Sequence, residues 1–166
     1  VDIDYIKRMN STVRLIGEIR SYDDGYTAII EPVIVRQGSP FYSVYYEKNA
    51  VLLKGSNVGD LIFYGNGAGM LPTANAVLED VIDIIMGSYR TENSMGTRKL
   101  KNINSNIKGE YYLRITKYDE GIFNILERIA KEILCREENT VVMTRNMLLE
   151  DILELLKAME IKEEEY

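Results

Sequence analysis

Five residues constrain the fold of this chain most: Gly65-Asn66-Gly67-Ala68-Gly69, a glycine-dense turn separating two different hydrophobic periods. Before it, Val51–Lys54 and Leu61–Tyr64 are short apolar runs parted by Gly55 and Gly59, the pattern of paired strands. After it, Ala74, Val77, Leu78, Val81, Ile84 and Ile85 recur at helical spacing from Pro72 onward. A strand therefore feeds a helix through a turn that carries almost no side chain. Such a turn lets a ligand approach the backbone, and the free N–H groups and dipole at the helix start favour an anion such as a phosphate. The same glycines also suit a tight connection with no ligand, and neither a Walker lysine nor G-x-G-x-x-G spacing decides between the two.

The other elements predict an α+β chain. Asp2–Met9 reads as a helix or helix end and Val13–Ile19 as a strand. Asp24-Gly25 is expected to supply a φ > 0 turn into Tyr26–Val35, where Pro32 marks an edge or a bulge. With the turn at Gly38-Ser39-Pro40, these runs predict a meandering, largely antiparallel sheet with helices on one face. Further on, Tyr111–Thr116 reads as a strand, and Ile122, Ile125, Leu126, Ile129 and Ile133 as one face of a helix ending near Leu134. Thr140–Arg145 reads as a second strand. Leu148, Leu149, Ile152, Leu155, Leu156 and Met159 mark a second helix capped by Asn146, and residues from Ile161 an edge strand. That order predicts a small βαβαβ sandwich.

Composition excludes much chemistry. The 166 residues hold no His and one Cys, which removes Ser-His-Asp and Cys-His nucleophiles, histidine metal ligands and an intrachain disulfide. A net charge of -6 argues against a nucleic-acid or anionic-membrane surface. Charge also divides the chain: residues 1–86 are net -4, residues 87–109 net +4 and residues 110–166 net -6. The middle piece, rich in Asn, Ser and Gly, reads as a linker. Val1 is not a Met and no apolar signal segment comes after it, so the start reads as a cut edge and the protein as cytoplasmic. Glu79, Asp80 and Asp83 are expected to face solvent rather than a metal, and Cys135 to pack as a small apolar residue. Asp119-Glu120-Gly121 fits either a ligand-receiving helix start or an ordinary turn.

Tyr64-Gly65-Asn66-Gly67-Ala68-Gly69-Met70-Leu71-Pro72-Thr73-Ala74 resembles the YGxGAGxxPTA signature near the end of the catalytic domain of homoserine dehydrogenases. Pro32-Val33-Ile34-Val35, Ser39-Pro40, Val44 and Asn49-Ala50-Val51 are similar to that family's approach to the signature, at the same spacing, and Arg14-Leu15-Ile16-Gly17 resembles the strand after its catalytic segment. Tyr46 and Lys48 depart from it, standing where the family usually has glycine and an aromatic. Residues 110–166 resemble the ACT regulatory domain that many of these enzymes carry. Asp119-Glu120-Gly121 lacks the usual proline before glycine, and too little chain lies between Leu134 and Thr140 for the customary second strand, so a shortened domain is expected.

The resemblance implies an NAD(P)-dependent oxidoreductase of threonine and methionine biosynthesis, a homodimer interconverting L-homoserine and L-aspartate 4-semialdehyde. Residues 1–86 would be the C-terminal half of its catalytic and dimerisation domain. The family's Rossmann domain, catalytic lysine and homoserine-holding carboxylates precede the matched region, so no catalytic or metal-binding residue is assigned and the chain alone is expected to be inactive. Gly65, Gly67, Ala68, Gly69 and Thr73 are the implied cofactor-binding residues. Asp119, Gly121 and Ile122 are the implied site for an amino-acid effector such as threonine. The competing reading is a non-enzymatic amino-acid sensor that keeps the dehydrogenase-like half as a dimerisation scaffold.

Overall fold

A short helix, α1 (Asp2–Arg8), begins with Asp2 and Asp4 and ends with Lys7 and Arg8, charges that complement the helix dipole, and it buries Ile6. The strands β1 (Ser11–Ser21) and β2 (Tyr26–Arg36) come next as a hairpin. The computed structural model describes residues 2–88, 99–116, 120–136 and 139–159. It divides into two compact units, Val1–Ile16 with Glu31–Arg98 and Gly17–Ile30 with Lys99–Tyr166.

The first unit holds a turn-rich segment, 37–47, and then β3 (Lys48–Gly55) paired antiparallel with β4 (Gly59–Asn66). Gly59, at φ 71°, makes the reversal. The helix α2 (Met70–Met86) closes on Gly87, whose left-handed conformation lets its N–H reach the Asp83 and Ile84 carbonyls. Each expected strand is present, but not as one meander: among the described residues β1–β2 and β3–β4 are separate two-stranded sheets. The segment between them spends its backbone hydrogen bonds on local turns, such as Tyr42 N to Ser39 O at 3.0 Å, and extends neither ladder.

In the second unit, the hairpin tip corrects the expectation for Gly25. Its φ is not positive; among the described glycines positive values occur at Gly38, Gly59, Gly69 and Gly87. Glycine is needed there because a Cβ would collide with the Lys101 carbonyl oxygen. That close approach allows Tyr26 N to donate to Lys101 O and Ile103 N to Tyr26 O, both at 2.9 Å. The Asn104 side chain extends the seam, accepting from Ala28 N at 2.9 Å and donating to Ala28 O at 2.8 Å. Residues 99–109, read as part of a polar linker, thus include an ordered segment with Ile103 buried.

The chain continues through a 3-10 turn (Asn104–Asn106), β5 (Lys108–Gly109), β6 (Tyr112–Ile115), α3 (Glu120–Ile129), β7 (Ala130–Arg136), β8 (Thr140–Thr144), β9 (Met147–Leu148) and α4 (Leu149–Ala158). β8 lies between β6 and β7 and is antiparallel to both, so β6-α3-β7 is a split β-α-β unit with β8 inserted. Ile115, Leu126, Ala130 and Val142 form its core, and Val141 is also fully buried.

Here the expected βαβαβ order is corrected to β-α-β-β with a further helix. The helix expected to run to Leu134 stops at Ile129, and the second strand thought to be missing occupies Ala130–Arg136. Register shifts between Ala130 and Glu132, and between Ile133 and Cys135, break the two-residue alternation of β7. Ile133 then happens to continue the helical spacing of Ile122, Ile125 and Ile129. Asn146 does not cap α4. Met147–Leu148 first pairs with Lys108–Gly109, Leu149 N donates to Ile107 O at 3.0 Å, and the helix begins at Leu149. The edge strand expected from Ile161 lies outside the described residues.

Candidate functional site

The glycine loop is held from the start of β3. Gly65 and Asn66 still belong to the ladder, opposite Asn49 and Lys48. The Lys48 ammonium bonds the Asn66 side-chain oxygen and lies 5.9 Å from the Tyr64 ring centroid. Gly67 N then donates to the Glu47 carbonyl at 2.8 Å, one residue beyond the last pair of the ladder.

The three glycines of the loop stand in three different environments. Gly67 needs its missing side chain for internal packing, since a Cβ would collide with the Asn49 side chain. Gly69 needs it for the backbone: it is the N-cap of α2 at φ 114°, outside the usual range of L residues. Gly65 is in neither position. Its φ is not positive and a Cβ there would meet no atom within 4 Å, so the fold leaves open space beside its backbone.

Ala68 is exposed between Gly67 and Gly69. Thr73 lies one turn into α2, where both its N–H (3.1 Å) and its hydroxyl (2.8 Å) donate to the Gly69 carbonyl. Its proton therefore stabilises the helix start, leaving hydroxyl lone pairs for any other partner. An open, largely apolar groove of about 750 Å³ begins at Gly69, Met70 and Thr73 and runs past Ala74, Val77, Leu78 and Val81 along α2.

Other candidates are dispersed. Glu79 accepts from Asn75 at 2.9 Å, Asp83 accepts from the Ser88 hydroxyl at 2.9 Å, and Asp80 is exposed. Among the described residues no group of three or more such side chains gathers around a metal position. Gly121 and Ile122 sit in the first turn of α3, with Ile122 packed against the core. Asp119 lies outside the described residues. No helix among the described residues is long and apolar enough to cross a membrane.

Three residues around the loop are not among the site residues expected from the sequence: Glu47, Asn49 and Arg14. Glu47 acts through its carbonyl, which leaves no trace in residue type. Asn49 does leave one, a small amide where a strand begins. Arg14 donates to the Phe41 and Tyr42 carbonyls from β1. Tyr46, where the family usually has glycine, has φ 56° with its side chain fully in solvent, a conformation in which glycine would be unstrained.

Comparison with known proteins bears on residues that include this loop. The homoserine dehydrogenase family model matches residues 1–82. The homoserine dehydrogenase of Bacillus subtilis is 34% identical over 138 residues, covering 79% of this chain and 32% of that enzyme. That of Helicobacter pylori is 26% identical over 164 residues, covering 95% of this chain and 36% of that enzyme. The chain thus spans about a third of the length of these relatives. Among solved structures, a Thiobacillus denitrificans homoserine dehydrogenase superposes with a TM-score of 0.78 at 21% identity, over 98% of this chain and 42% of that one. A Staphylococcus aureus homoserine dehydrogenase does so with a TM-score of 0.61 at 22% identity, over 95% and 40%.

Proposed function

The chain belongs to the homoserine dehydrogenase family, and from that premise we propose that it forms the C-terminal part of an enzyme interconverting L-homoserine and L-aspartate 4-semialdehyde in cytoplasmic threonine and methionine biosynthesis. Its role there is to present the glycine loop to NAD(P). The bound dinucleotide supplies the hydride chemistry. Gly65, Gly67, Ala68 and Gly69 offer backbone approach, Gly69 shapes the start of α2, and Thr73 fixes that start through the Gly69 carbonyl.

The observation that carries this reading is Gly65. Gly67 and Gly69 are explained by the chain's own packing and backbone, whereas the bare position at Gly65 opens onto space. A ligand that passes close to the backbone fits that space. The test is Gly65→Val in the complete enzyme. The expected result is an unchanged melting temperature and a KM for NAD(P) raised about tenfold or more. An unchanged KM would remove the loop from the cofactor site.

Residues 110–166 supply an ACT-like regulatory domain, with 87–109 joining it to the catalytic half. The split β-α-β arrangement of β6, α3 and β7 supports this part of the reading. The effector would sit at the start of α3, near Asp119, Gly121 and Ile122. Calorimetric titration of the chain with threonine should show saturable binding; no heat with threonine or related amino acids would set the regulatory role aside. The exposed edges of the two hairpins favour homodimerisation, and light scattering should return twice the chain mass.

A further inference from the structure

We infer that Arg14 is a positioning residue for the glycine loop, acting from β1 through the segment 41–47. Nothing in that segment is a strand or a helix, so regular ladder hydrogen bonds do not hold it in place. Its internal bonds are single turns: Val44 N to Phe41 O at 3.4 Å and Lys48 N to Tyr45 O at 3.1 Å.

Arg14 ties it to a strand. The half-buried guanidinium donates from Nε to Phe41 O at 3.3 Å and from Nη2 to Tyr42 O at 2.9 Å, and it stacks 4.3 Å from the Tyr45 ring centroid. One planar fork thereby grips two successive carbonyls and one ring face, an arrangement a lysine cannot reproduce. The gripped segment ends at Glu47, whose carbonyl receives the Gly67 N–H at 2.8 Å. Only Tyr46 separates Tyr45, the last residue that Arg14 touches, from Glu47, so a displacement of residues 41–45 reaches the middle of the loop over a short length of chain.

The inference rests on the proposed function only in naming NAD(P) as what the loop serves; the positioning itself requires no ligand. It is tested on the present chain by residue-resolved amide exchange. Arg14→Gln should accelerate exchange at Gly67 about tenfold or more while Phe63, opposite Val51 in the β3–β4 ladder of the same unit, keeps its wild-type rate. Arg14→Lys, which retains one carbonyl bond and loses the fork, should fall between glutamine and arginine. Tyr45→Leu removes only a half-exposed ring face and keeps the test usable if Arg14→Gln does not fold; it should accelerate Gly67 exchange to a smaller extent. An unchanged Gly67 rate, or equal acceleration at Gly67 and Phe63, would overturn the inference. Because no cofactor enters the experiment, that outcome leaves the dehydrogenase reading standing. Equally, a failed Gly65 test leaves the Arg14 inference standing.

Discussion

Helices α2 and α3 each come after a strand and each carry an apolar stripe, yet only one of them finds a core. α3 buries Leu126 completely against β8, where Val142 is also fully buried. α2 buries nothing: Ile84 is 63% exposed and Ile85 78% exposed, and both faces of the neighbouring β4, including Leu61, Ile62 and Phe63, are exposed as well. Ile129 is succeeded at once by a strand that pairs beside β8, so α3 has a sheet to pack on. A periodic apolar stripe thus states that a face is built for burial, while its partner depends on topology.

Leu126→Ala should break this contrast most severely, costing about 3 kcal/mol by leaving a cavity in a filled core, as read by urea denaturation. Leu78→Ala on α2 should change stability by less than about 0.5 kcal/mol in the same experiment, because that side chain is already 57% exposed. Equal effects at the two positions would show that α2 is covered in solution. Gly25→Ala should cost about 2 kcal/mol by forcing the hairpin tip away from Lys101, measurable as a lowered urea midpoint at constant slope.

Asn104→Ala should cost about 1.5 kcal/mol by deleting both bonds to the Ala28 backbone, with the same readout. One effect has the opposite sign. Tyr46→Gly should raise stability by up to about 1 kcal/mol, because glycine adopts φ 56° without strain and the lost ring is fully exposed. Calorimetry would detect the rise in Tm. A lower Tm would mean that the ring packs in solution.

The same division between pattern and partner governs how much of the molecule is legible in its residues. β3, β4 and α2 stand close to where alternation and helical spacing put them, because each is a local pattern with a glycine at its boundary. The end of α3 is not legible, because two register shifts hide the strand period of β7 and Ile133 coincides with the helical repeat. At Gly25 the turn is legible but its cause is not: the need for glycine is a close approach by Lys101, 76 residues away in sequence. Within the loop, the signature marks Gly65, Gly67 and Gly69 together. Their separate roles depend on the Asn49 side chain and on backbone angles that residue types do not encode. Glu47 acts through a carbonyl that every residue type possesses.

The most direct measurement joins residues 1–166 to the segment that precedes the matched region in the Bacillus subtilis relative and monitors homoserine-dependent reduction of NAD(P)+. The joined protein should turn over and lose most of that activity at limiting cofactor when Gly65 is replaced by valine, while residues 1–166 alone should show none. Turnover by residues 1–166 alone, or a joined protein that is active and indifferent to Gly65→Val, would contradict a glycine loop that serves a dinucleotide held elsewhere.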